Sequence, residues 1–222
     1  MTDSEADAWV VLDVDHTVLA ADTFKMVVVR GLARAPWRAA LLVIVWPLLL
    51  TPLWGGDWRW PKSALLWTIT VGRSPRAAVG FLRSTLLGVD RLWRPDATAV
   101  LAAWRAQGVR VCYASASPTT WLRPLLARLD GGPRRVVGSR LRCFAGGVVI
   151  AGRDCRGLEK LRRVERVLGA AVWLCAYSDH PHDAPLLARA ARRVVVSPRP
   201  RDVQRFVRAL GGGFEVVRWR DP

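Results

Sequence analysis

The run Ala8–Val14 (AWVVLDV) is apolar, rich in valine and bounded by polar residues. That pattern predicts a strand buried on both faces, as in a parallel sheet with helices above and below it. Similar runs recur at Val109–Ala114 (VRVCYA), Ala171–Tyr177 (AVWLCAY) and Arg193–Val196 (RVVV). Between them lie helical patterns at Asp96–Gln107 behind Pro95, Thr119–Leu129 behind Pro118, Leu158–Leu168 closed by Gly169, and Ala184–Ala191. Strand and helix alternate, which predicts an α/β fold with a Rossmann-like parallel sheet. Arg142–Gly152, with Gly146 and Gly147 between two apolar stretches, reads as a small hairpin.

Residues 20–90 break the alternation and read as an inserted helical cap, with residues 1–19 and 91–222 forming the core. Between Phe24 and Val89 there are nine Lys and Arg, one acid (Asp57) and six of the twelve tryptophans. Ala39–Gly56 carries no charge and contains Pro47 and Pro52. As one helix it would span about 27 Å, barely the hydrocarbon thickness of a bilayer, and the prolines disfavour a straight helix. Arg30, Arg34 and Arg38 precede it, and Arg59 and Lys62 follow it. Positive charge on both flanks suits a segment that dips into a membrane and returns to the same face. The expectation is monotopic or peripheral attachment to the cytoplasmic face of the inner membrane. A buried helical hairpin or a dimer contact in a cytoplasmic protein is the alternative.

At 222 residues, 51% hydrophobic, the chain is long enough for one core domain plus an insertion, which excludes disorder and a minimal scaffold. A formal charge of +16 favours an anionic partner: nucleic acid, an anionic membrane surface or a phosphorylated substrate. Nothing resembles a recognition helix or an aromatic RNA-binding sheet, so nucleic acid ranks last. Cys112, Cys143, Cys155 and Cys175 show neither a CxxC pair nor zinc spacing and read as reduced core thiols. The start MTDSEADAW is acidic and polar, unlike a signal peptide.

Acids at strand ends carry the chemistry. Asp13 and Asp15 leave the carboxyl end of the first strand in LDVDHTV, where open α/β sheets bind ligands. Two carboxylates so close repel unless a cation or a proton lies between them, which points to Mg²⁺, with a turn of solvated aspartates as the plainer reading. Ser115, in ASASP, follows the second strand and precedes a helix start suited to an anion, though serine there is often a cap. Asp179 and Asp183 follow a third strand in YSDHPHDAPLL, where Asp183 could equally cap a helix. Lys160 stands out because only three of the 34 Lys and Arg are lysines. A lysine kept where arginine is the rule suggests a required point charge.

The order Asp13-Val14-Asp15-His16-Thr17, Ser115, Lys160, and Asp179 with Asp183 resembles the haloacid dehalogenase superfamily. Its phosphoserine-phosphatase-like branch carries a helical cap between the first two motifs. RWPKSALLW (Arg59–Trp67), the Cys155–Lys160 run and YSDHPHDAPLL further resemble the phosphatidylglycerophosphatase C type, over most of residues 8–200. The resemblance implies a Mg²⁺-dependent phosphomonoester hydrolase of phospholipid phosphate. Asp13 is then the nucleophile, Asp15 the general acid and base, and Ser115 and Lys160 the partners of the phosphoryl oxygens. Asp13, the backbone carbonyl of Asp15, and Asp179 would hold the metal, with Asp183 orienting water or Lys160. A soluble small-metabolite phosphatase of the phosphoserine kind is the alternative. One position departs: the superfamily has Gly after the second Asp, where this chain has His16. Either the loop differs or His16 reaches the site.

Overall fold

The computed structural model describes residues 8–55, 57–132 and 134–222. The acidic start, residues 1–7, and Gly56 at the end of the uncharged run lie outside the described residues. Among the described residues, seven strands build one sheet. They are β1 (Ala8–Asp13), β2 (Arg110–Pro118), β3 (Arg134–Phe144), β4 (Gly147–Ala151), β5 (Val172–Ser178), β6 (Arg192–Val196) and β7 (Glu215–Val217). Their order is β4-β3-β2-β1-β5-β6-β7, and every neighbouring pair is parallel except β3 with β4. The order reverses at β1, flanked by β2 and β5, and the crevice beyond a reversing strand is where such sheets bind ligands.

β1 explains its own burial. Val10 and Leu12 point to one face and join Leu101, Val111, Tyr113 and Trp121. Trp9 and Val11 point to the other, with Val164, Leu168, Leu186 and Phe206. Period-two alternation thus feeds two cores from one continuous apolar run. Helices α5 (Pro95–Ala106) and α6 (Thr119–Leu129) cover the first face; α7 (Leu158–Leu168), α8 (Ala184–Arg189) and α9 (Pro200–Leu210) cover the second. Wholly burying a large side chain such as Trp121 or Trp173 contributes about 1.5–3 kcal/mol or more.

The four strands and four helices expected from sequence are present, with ends shifted by a few residues. The hairpin needs correction. Its first strand is one long strand that pairs parallel with β2 up to Ser139 and antiparallel with β4 from Arg140. RRVVG was missed because its two arginines hide a short apolar run. β7 and α9 were also not anticipated.

The segment 20–90, called the cap below, carries α1 (Thr23–Arg34), α2 (Leu42–Leu49), α3 (Arg59–Thr70) and α4 (Pro75–Ser84). The uncharged run is broken, as its prolines suggested: a 3-10 turn at Pro36–Leu41, then α2 with Pro47 inside it, then a second 3-10 turn at Thr51–Trp54. Among the described residues no single helix is long and apolar enough to cross a membrane, and the chain bends by 115° between the segments Thr23–Arg34 and Pro36–Leu49. The cap leaves Trp37, Val43, Ile44, Trp46 and Leu53 more than half exposed. Its inner side is fixed on β4, whose outward N–H groups at Val148 and Ile150 donate to the hydroxyls of Thr70 and Ser63 at 2.9 and 3.1 Å. Gly147 lets α3 come this close, since a Cβ there would lie 2.6 Å from the Trp67 ring.

Candidate active site

Asp13 ends β1 with 5% of its surface exposed, and its Oδ1 accepts a hydrogen bond from Lys160 Nζ at 2.8 Å. Lys160, Val164 and Leu168 form the buried stripe of α7, so the lysine occupies a position that helical periodicity assigns to the core. Its ammonium also donates to Asp183 Oδ2 at 2.5 Å, and Ser178 Oγ donates to that same oxygen at 2.9 Å. Asp183 therefore holds the lysine that holds Asp13.

Asp15 has a separate environment. Its Oδ2 accepts from Ser115 Oγ and Ser117 Oγ, both at 2.8 Å, and its Oδ1 accepts from the Thr23 N–H at 2.6 Å. Two residues apart at the end of β2, Ser115 and Ser117 share a face. The pairing of β2 with β3 is irregular between Ala114 and Pro118, which frees the segment to turn toward Asp15. Gly138 of β3 makes room: a Cβ there would stand 2.5 Å from the Ser117 carbonyl. Ser117 and Thr23 were missed from sequence, though the alternation Ser115-Ala116-Ser117 was a usable signal.

Thr17 links the two ends of the site. Its hydroxyl lies 3.3 Å from Asp13 Oδ2 and 3.4 Å from Asp179 Oδ1, and accepts from the Asp179 N–H at 3.1 Å. One hydroxyl proton cannot satisfy two carboxylates. Burial, opposed by Lys160 and reinforced by Asp183, Asp179 and Asp15, pushes Asp13 well above the usual carboxylate range. Burial likewise pushes Asp179 up to about 6, with His16 acting in the opposite direction. Burial alone would lower Lys160, but Asp13 and Asp183 outweigh it and hold the amine above its ordinary value, so it stays an ammonium.

The excess of carboxylate over donor between Asp13 and Asp179 fits a divalent cation. The donors are all oxygen, the choice of Mg²⁺. Among the described residues no three His, Cys, Asp or Glu side chains enclose an ion by themselves. That suits a metal held by two carboxylates and completed by backbone carbonyl, water and substrate. The Asp15 carboxylate is already engaged by three donors, leaving its backbone carbonyl for that role.

His16 takes φ of 60°. The chain thus keeps a left-handed turn without glycine, and histidine is among the side chains that tolerate it better than most. His180 and His182 stack with ring centroids 4.8 Å apart, and burial lowers both, His180 to about 4. Asp13, Asp15, Asp179, Lys62 and Arg156 line a cavity of about 400 Å³ between core and cap. All three lysines of the chain, Lys25, Lys62 and Lys160, border it. In the sequence Lys62 falls within a motif and among the basic residues flanking the uncharged run, and nothing there gives its partner, which lies 92 residues away.

Residues 10–188 match the family model of haloacid dehalogenase-like hydrolases. Over 103 residues the chain is 40% identical to protein CicA of Caulobacter vibrioides, covering 45% of this chain and 46% of CicA. The match thus spans about half the length of that curated relative. A solved structure of a protein of unknown function from Bordetella pertussis Tohama I is 20% identical and covers 95% of this chain and 97% of its own, with a TM-score of 0.72. A probable phosphoserine phosphatase from Vibrio cholerae is 15% identical and covers 98% of this chain and 62% of its own, with a TM-score of 0.64. At these identities the two structures share the fold.

Proposed function

Because the chain belongs to the haloacid dehalogenase-like hydrolases, we propose that it is a Mg²⁺-dependent phosphomonoester hydrolase acting on a lipid phosphate of the phosphatidylglycerophosphate kind. The supporting observation is the division of labour between two aspartates, Asp13 bound to Lys160 Nζ and Asp15 held by Ser115, Ser117 and Thr23. That division suits Asp13 as a nucleophile and Asp15, off the ammonium, as a proton carrier.

A carboxylate oxygen of Asp13 attacks phosphorus in line as the ester P–O bond breaks, giving an aspartyl phosphate. Asp15 gives its proton to the departing alkoxide and then takes one from water, whose oxygen attacks phosphorus and releases Asp13 and inorganic phosphate. Lys160 offsets charge on the phosphoryl oxygens, and Ser115 and Ser117 keep Asp15 aimed at the leaving group. Asp13, Asp179 and the Asp15 carbonyl would hold Mg²⁺, which supplies Lewis-acid neutralisation of the phosphoryl charge when bound.

The lipid part of the proposal rests on the cap. Trp37, Val43, Ile44, Trp46 and Leu53 are exposed and lie in the sequence between Arg30 and Arg34 on one side and Arg59 on the other, a composition suited to an anionic membrane surface at the cytoplasmic side of the inner membrane. The second reading, a cytoplasmic phosphatase of a small metabolite such as phosphoserine, is favoured by the strongly charged cavity wall, which a polar ester would match. Phosphate release from phosphatidylglycerophosphate in mixed micelles, from phosphoserine and from an aryl phosphate separates them. Preference for the lipid, abolished in Asp13→Asn, supports the first reading. Activity on soluble esters alone supports the second, and no Mg²⁺-dependent release from any of the three rejects both.

A further inference from the structure

Helix α3 has a cavity on each side. Trp58, Pro61, Lys62 and Leu65 face the catalytic cavity. Trp60, Ser63, Ala64 and Trp67 face a second one of about 520 Å³, closed on its other sides by α2 and the β3–β4 hairpin. That volume is within the roughly 300–1,000 Å³ of small-molecule sites.

The wall of the second cavity is apolar wherever it is not already satisfied. Ile44, Val45 and Leu48 come from α2, and Phe144, Val149 and Ile150 from the hairpin. Its polar groups are used internally: Ser63 Oγ accepts from the Ile150 N–H at 3.1 Å, and Trp67 Nε1 donates to the Ala145 carbonyl at 2.9 Å. Two cations also border it. The Arg59 guanidinium lies 4.3 Å from the Trp60 ring centroid and that of Arg142 lies 5.2 Å from the Phe144 ring centroid. Among the described residues neither has a carboxylate partner, and Arg59 Nε is buried without a hydrogen bond. An apolar chamber with two unneutralised cations calls for an apolar body with an anionic end.

We propose that this second cavity binds one anionic phospholipid by its acyl chain, with its phosphate at Arg59 and Arg142, as a fixed lipid distinct from the substrate. An added peptide strand does not fit, because the outward N–H groups of β4 are already taken by Thr70 and Ser63. Ile44, which lines the cavity from α2, is itself 68% exposed, so the cavity wall is continuous with apolar surface that a bilayer could cover. The proposal is independent of which phosphomonoester the catalytic cavity hydrolyses.

The test is calorimetric titration with lysophosphatidylglycerol below its micelle concentration, which has one acyl chain, one phosphodiester charge and no phosphomonoester to cleave. Lysophosphatidylcholine of equal chain length and chain-free glycerophosphoglycerol are the controls. The expected result is saturable binding of the anionic lipid only. It weakens at least tenfold in Arg59→Gln/Arg142→Gln and is abolished in Ala64→Phe, while aryl phosphate hydrolysis is kept as the measure of intact folding. If Ala64→Phe loses that hydrolysis, the arginine variant decides. Equal affinity for the choline lipid, or binding unchanged in the arginine variant, overturns the proposal. Loss of all hydrolysis with lipid binding intact would instead reject the catalytic reading and leave this one standing.

Discussion

The Lys62 ammonium, carried by the cap, lies 2.8 Å from Asp154 Oδ2 in the core, and the pair is nearly closed to solvent at 14% and 3% side-chain exposure. The same ammonium donates to Asp154 Oδ1 at 2.9 Å and to the Ala116 carbonyl at 3.1 Å, between the two serines that hold Asp15. Lys62→Met leaves a buried carboxylate without its counter-charge, expected to cost about 3–5 kcal/mol. Lys62→Met/Asp154→Asn should recover part of that loss in denaturant melts. Its kcat should stay below the parent's, since the Ala116 carbonyl then loses the Lys62 ammonium at 3.1 Å and keeps the Ser139 hydroxyl at 2.9 Å.

Asp15→Asn removes the proposed proton carrier but leaves Asp13 and Lys160 paired. Hydrolysis of an alkyl phosphate should fall by about 10²–10⁴. With an aryl phosphate, whose leaving group needs little protonation, the first step should persist and the second stall. Rapid-quench measurement should therefore show a stoichiometric burst of phenol followed by almost no turnover.

Asp179, raised to about 6, binds its proton more tightly in the folded protein than in the unfolded chain. Without metal, the resulting stabilisation is fully present below its unfolded value and is lost as pH rises through about 6. A bound Mg²⁺ favours the ionised form. It should therefore raise the melting temperature more at about pH 8 than at about pH 5, and release protons on binding near pH 6. Asp179→Asn should weaken Mg²⁺ binding and remove its share of the proton release in calorimetry across buffers of different ionisation enthalpy.

His16 pays for a left-handed backbone that glycine would adopt freely. His16→Gly should gain about 1 kcal/mol and raise the melting temperature by roughly 2–4 °C, with kcat within a few-fold of the parent. A loss beyond tenfold would give the imidazole a part in the chemistry.

Burial pushes Cys112 up to about 12 and Cys155 and Cys175 up to about 11, while Cys143 is exposed. A thiol reagent at about pH 8 should modify only Cys143 in the native protein and all four cysteines after unfolding.

The sheet was legible because its central strands are continuous apolar runs, and β1 could be placed from Trp9, Val10, Val11 and Leu12 alone. The aspartates, Ser115 and Lys160 were legible because each stands where an apolar pattern stops or is violated. β3 was only half legible, because a strand that changes partners midway leaves no single periodicity, and Arg134 and Arg135 masked its start. Thr23 and Lys62 were not assigned roles, since their partners Asp15 and Asp154 are set by how the cap folds back onto the core. Such contacts leave no spacing to read.

The two hydroxyls that Ser63 and Thr70 present to β4 make the cap a seal for the sheet as well as a roof for the site. A trimmed enzyme lacking residues 20–90 would bare the N–H groups of Val148 and Ile150 on an apolar edge, a template for a second copy to extend the sheet. The insertion is thus tied to solubility as closely as to catalysis. Changes to substrate preference have room on its catalytic side, along Trp58, Pro61 and Leu65, while the serine and threonine behind them have to stay.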